Sequence, residues 1–195
     1  MGGFRDRGIK ILCSSLIGLG ICAAVSDAIP RTVPPSSLEF AEPQTPTVNP
    51  VCQAVVDVLH KLISTPYHSY MVETLNGKTS NGETIFVGDT YYVQINGKWT
   101  VSPISAQDMK EMGQRNMKNA KNLSCQEVRD EAVNGESATV YTSHSVTERG
   151  TADTQMWISK SRALLLRQGI DSAGTSFKNH SSMRFEYGNV KAPSM

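Results

Sequence analysis

The chain is poor in aromatic residues, at 7% of the total, and holds only four cysteines in 195 residues. It also lacks an excess of either charge: 19 Lys and Arg stand against 18 Asp and Glu, a formal net charge of +1. Removal of a leader ending at Ala28 would take away Arg5, Arg7, Lys10, Asp6 and Asp27 and leave no net charge. That balance excludes nucleic acid as the main partner, because phosphate binding needs clustered Lys and Arg. It equally excludes electrostatic attachment to anionic lipid. The motifs of catalysis are missing too. His60, His68, His144 and His180 never fall at the i, i+4 spacing of zinc hydrolases. There is no Gly-x-Ser-x-Gly elbow, no Gly-rich phosphate loop and no CxxC pair. Two Cys without a nearby His pair fall short of a four-ligand metal set. The acidic run Glu127, Asp130 and Glu131 reads as a solvated face. No enzyme activity, cofactor or metal is expected, although fold alone excludes none.

What is present begins with an export signal. Arg5, Arg7 and Lys10 give a positive start, Ile9 to Val25 is mostly apolar, and Ser26-Asp27-Ala28 puts small residues where a signal peptidase reads. Residues 1–28 are expected to be a cleaved secretory leader, and the mature chain is expected in the periplasm. Cys22 invites a lipid anchor, but the bulky Ile21 before it disfavours that reading. Membrane contact is expected only through the leader or such an anchor. Residues 29–50 hold six prolines, which fit neither a helix interior nor a central strand, and read as an extended tether. One domain is expected over residues 51–192. Cys52 and Cys125 are the only cysteines of the mature chain, and in an oxidising compartment they are expected to be bridged. The bridge closes a loop of more than 70 residues, for which chain entropy gives roughly 4 kcal/mol.

Within the domain, residues 51–63 repeat Val51, Val55, Val58, Leu59 and Leu62 at helical spacing, with Asp57, His60 and Lys61 on the other face. Strands follow at residues 67–75, 84–87, 90–95 and 98–101. Turn signals stand at Asn76-Gly77, Asn81-Gly82, Gly88-Asp89 and Asn96-Gly97. Residues 105–121 predict a helix capped by Ser105 with Asp108 three residues on, and Met109, Met112, Met117 and Ala120 lie on or near one stripe. An irregular strand at 124–133, a strand at 138–146 and a last strand at 183–187 flank a hairpin over 153–170, whose apolar runs are Met156-Trp157-Ile158 and Ala163 to Leu166. Consecutive strands joined by short turns make an antiparallel meander. A helix of this length covers only part of so wide a sheet.

The run Trp157-Ile158-Ser159-Lys160 through Leu165-Leu166-Arg167-Gln168, with the closing Phe185, Tyr187, Gly188 and Val190, resembles the LolA/LolB-like superfamily of bacterial lipoprotein carriers, including its LppX/LprG-like branch. Ser159 stands where that superfamily usually has an acidic residue, and Leu166 where it has Pro. The resemblance implies an α+β fold: an antiparallel β half-barrel, a meander wrapped around one or two α-helices, enclosing an apolar cavity. The wide apolar face that one short helix cannot cover points to an exported carrier of a lipid- or acyl-like ligand. Tyr91, Val93, Trp99, Trp157, Leu165 and Phe185 are the candidate cavity lining, with no catalytic role. The alternative is a non-catalytic cell-envelope module with a closed core and a protein partner.

Overall fold

A computed structural model describes residues 49–119 and 122–195. The leader, Cys22 and nearly all of the Pro-rich stretch lie outside those residues, as do Ala120 and the side chain of Met117.

The first element is α1 (Pro50–Leu62). Asn49 caps it through a 2.9 Å bond from the Val51 N–H to Oδ1, and Pro50 sits where a missing N–H costs nothing. The helix ends at Ser64 and Thr65, whose hydroxyls both donate to the Lys61 carbonyl. Four strands follow: β1 (Tyr67–Leu75), β2 (Lys78–Val87), β3 (Thr90–Ile95) and β4 (Lys98–Val101). Then come α2 (Ala106–Asn119), β5 (Asn122–Val133), β6 (Glu136–Thr147), β7 (Gly150–Ser159), β8 (Leu165–Ala173) and β9 (Lys178–Glu186). The expected cap of α2 forms as a reciprocal pair: Ser105 donates N–H and hydroxyl to Asp108 at 2.9 and 2.7 Å, and the Asp108 N–H returns to Ser105 Oγ at 3.1 Å.

The nine strands make one antiparallel sheet in the order β4-β3-β2-β1-β9-β8-β7-β6-β5. Every neighbour is a sequence neighbour except β1 and β9, which join the first meander to the second. The ends, β4 and β5, do not pair with each other, so the sheet is open and the architecture is the α+β half-barrel. Asn76-Gly77, Asn96-Gly97 and Asn134-Gly135 all have both residues at positive φ, the geometry of two-residue hairpin turns. Asn81-Gly82 is not a turn. It lies inside β2, with Gly82 paired to Met71, because Asn76-Gly77 has already closed that hairpin. The last strand starts five residues before its expected first residue, Met183.

One face of the sheet carries α1. Cys52 of the helix is bonded to Cys125 of β5, with Cα atoms 5.1 Å apart, so the expected bridge is present. Buried Val55, Val56, Val58 and Leu62 form the helix's inner stripe. On the same sheet face the rings of Tyr67, Phe86, Tyr91 and Phe185 cluster, with centroid separations of 5.8 Å (Tyr67–Phe86), 5.5 Å (Tyr67–Phe185) and 4.6 Å (Phe86–Tyr91). A smaller core of Ala138, Val140, Trp157 and Leu166 lies on the opposite face. A bulge between Trp157 and Ile158, where the register moves from Arg167 to Leu165, explains how the adjacent Leu165 and Leu166 can both be buried.

Candidate functional site

Helix α1 approaches β5 and β8 more closely than it approaches β6 and β7, which lie between them. A hollow remains between the helix and the two middle strands. This cavity measures about 460 Å3, within the usual range of small-molecule sites. Ala54, Asp57, Val58 and Lys61 of α1 face Thr139 and Tyr141 of β6, Ile158 and Ser159 of β7, and Lys160 and Ala163 of the β7–β8 turn.

Most polar groups of this lining are engaged elsewhere. The Thr139 hydroxyl donates to Asp130 at 3.1 Å, Lys160 donates to Asp130 at 2.7 Å, and the Ser159 hydroxyl donates to Glu136. Arg162 also grips Glu136, with Nε 2.8 Å from Oε1. These bonds hold the carboxyls of Asp130 and Glu136 below the ordinary range, through Lys160 in the first case and Arg162 in the second. What is left for a ligand is an apolar wall of Ala54, Val58, Ile158 and Ala163 with the ring of Tyr141. Lys61 reaches across the mouth and donates to the Arg162 carbonyl at 2.6 Å, tying the last turn of α1 to the hairpin tip.

None of the six residues expected to line a hollow borders this cavity. Tyr91, Leu165 and Phe185 are buried and Val93 half-buried on the helix-side face. Tyr91 packs in the aromatic cluster, where burial pushes its hydroxyl up to about 12, and that hydroxyl has no hydrogen-bond partner among the described residues. The register puts Trp99 and Trp157 on the other face. Trp99 stands edge-on to His68 at 6.0 Å, and Arg167 lies over Trp157 at 4.7 Å. The six therefore do not share one hollow. The lining residues gave no separate signal in the sequence: Asp57 and Lys61 read as solvent-facing, and only the seating of α1 over β6 and β7 brings them to a cavity.

The resemblance motifs do meet. Trp157 and Arg167 are cross-strand partners, and the hydroxyl of Tyr187 donates to the Leu165 carbonyl at 2.6 Å. They are a packing device that fastens the chain's end to the hairpin.

The opposite face holds a second concavity, a polar trough of about 430 Å3. Gly169 lies in its floor. One wall is a row across four strands, His144, Asp153, Asp171 and His180, each aligned with the next. His144 bonds Asp153 and His180 bonds Asp171, both at 2.7 Å through Nδ1. Among the described residues no three His, Cys, Asp or Glu side chains form a group that could hold a metal ion.

No family model matches the chain, and no curated protein matches it in sequence. Solved structures are similar to it. The lipoprotein LppX of Mycobacterium tuberculosis is 13% identical, with a TM-score of 0.42 over 73% of this chain and 98% of that one. LprF from Mycobacterium bovis is 12% identical, with a TM-score of 0.40 over 75% and 96%. MucB in complex with MucA(peri) is 11% identical with a TM-score of 0.45; the match covers 73% of this chain but 57% of MucB. At these identities the likeness concerns the fold, and the function is argued from this chain's own residues.

Proposed function

We propose that the chain is an exported, non-catalytic binding protein that holds an apolar, acyl-like ligand beneath α1. The observation that carries this reading is the cavity between α1 and the β6–β7 strands, whose free wall is Ala54, Val58, Ile158 and Ala163. Binding would draw on buried apolar area, about 25 cal/mol per Å2. Export through the leader at residues 1–28 fits a ligand that is met outside the cytoplasm.

Native mass spectrometry and displacement of a fluorescent fatty acid test the proposal. We expect a lipid-sized adduct or saturable probe binding. Ala54→Trp, a half-buried position at the cavity wall, should weaken probe binding at least tenfold while leaving the far-ultraviolet circular dichroism unchanged. A clean apo mass together with no probe binding would overturn the carrier reading and leave an envelope module engaging a protein partner. The outer edge of β5, unpaired among the described residues, is poorly suited to casual pairing. The bulge at Val128 and the charges of Glu127, Arg129, Asp130 and Glu131 are devices that keep an edge unpaired.

A further inference from the structure

Two opposite charges at the mouth of the helix-side cavity are in no ion pair among the described residues. Asp57 and Lys61 stand one turn apart on α1, a spacing that puts their Cβ atoms about 6 Å from each other, and both border the cavity. They do not pair together. Asp57 accepts from the Gln53 side-chain amide at 2.8 Å, and Lys61 donates to the Arg162 backbone carbonyl at 2.6 Å. Both of those partners are neutral. The other charges around the mouth are matched: Lys160 with Asp130 at 2.7 Å and Arg162 with Glu136. The rim thus offers one carboxylate and one ammonium, side by side and in no ion pair among the described residues, above an apolar wall.

We infer that the ligand is a single-chain amphiphile with a zwitterionic head group, its anion held by Lys61 and its primary ammonium by Asp57. A phosphate and an ammonium joined by a two-carbon link fit that spacing, while the acyl chain lies against Val58 and Ile158. The inference rests on the reading of the cavity as an apolar-ligand site and adds the chemistry of its head group. Asp57 and Lys61 are both exposed, so water and salt screen each contact, and each should contribute about two- to fivefold in affinity at low salt.

The experiment is displacement of a fluorescent fatty acid from the mature chain by three lipids of one acyl length: lysophosphatidylethanolamine, lysophosphatidic acid and monoacylglycerol. We expect affinity to fall in that order. Lys61→Gln should remove the advantage of lysophosphatidic acid over the neutral lipid and lower, without abolishing, that of lysophosphatidylethanolamine, whose ammonium Asp57 still holds. Asp57→Asn should remove only the advantage of the zwitterion over lysophosphatidic acid. Asp57→Asn should keep the parent melting temperature; Lys61→Gln loses the bond to the Arg162 carbonyl, so its binding is read well below its own melting temperature, where its far-ultraviolet circular dichroism matches the parent. Equal displacement by all three lipids, or an order unchanged in both variants, overturns the head-group inference and leaves the cavity reading standing. Failure of all three to displace, with no probe binding at all, overturns the cavity reading itself.

Discussion

Tyr91 shows that a residue's face can be legible in the sequence while its packing partners are not. Its place on an apolar strand face was legible from alternation with Val93 and Ile95. That it packs against Phe86 depends on β2 and β3 lying in register, with Phe86 opposite Tyr91. Its hydroxyl is buried without a partner, and an unpaired buried donor costs about 1–3 kcal/mol. Tyr91→Phe is therefore expected to be neutral or to stabilise by about 1 kcal/mol in urea unfolding. A loss greater than that would show a partner for the hydroxyl. The pH dependence has a definite sign. The folded group titrates at about 12 against an ordinary value of 10.0, so the neutral tyrosine's contribution is complete below pH 10 and fades as pH rises from there towards 12. The Phe variant should lack that part of the alkaline loss. Trp157 is a comparable case. Its indole N–H reaches towards Glu131, whose carboxyl it helps hold below the ordinary range, but it falls short of a full hydrogen bond. Its ring is covered by Arg167.

At the scale of elements, turns were the most legible feature, because Asn-Gly tolerates positive φ at both positions where other pairs do not. The exception, Asn81-Gly82, marks the limit of a local signal: a turn-prone pair still extends when its neighbours are already in register. The β7–β8 hairpin was legible as two apolar runs, but its bulge was not, since either Leu165 or Leu166 would satisfy the pattern alone. The tip of this hairpin is held by Glu136, which accepts from Ser159, the Ser159 Oγ in turn taking the Arg162 N–H at 3.0 Å, and by Arg162 itself. Because the carboxyl of Glu136 is held below its ordinary 4.5, its contribution is present above that pH and is lost as pH falls below it. Thermal melts should show Glu136→Gln less stable than the parent at pH 6 by no more than about 1 kcal/mol, the scale of a part-exposed pair. The gap should close at pH 3. A gap that persisted in acid would mean that the tip depends on shape rather than charge. The trough on the other face is an element-scale product as well. Asp153 and Asp171 are 18 positions apart in the chain and become direct neighbours only through the β7–β8 register.

For the whole molecule, the Cys52–Cys125 bridge ties down the helix that covers the cavity. It fastens α1 to an edge strand across 73 positions of sequence. Replacing both cysteines by Ala should cost about 4 kcal/mol in urea unfolding, on the entropy of a loop of that length. It should also release α1, so that amide exchange in residues 50–62 speeds up more than in β1 or β9, and probe binding is lost with it. Exchange that stays slow in α1 would show that the stripe of Val55, Val58 and Leu62 seats the helix unaided. The sequence by itself determined the order of elements, the antiparallel meander, the caps and most turns, because these follow from contacts between residues close in the chain. Only the tertiary structure decided which strands lie beneath α1, and hence which side chains border the hollow. Sheet curvature and the resting place of a helix are set by packing between residues far apart in sequence, and no local pattern encodes the space left between them.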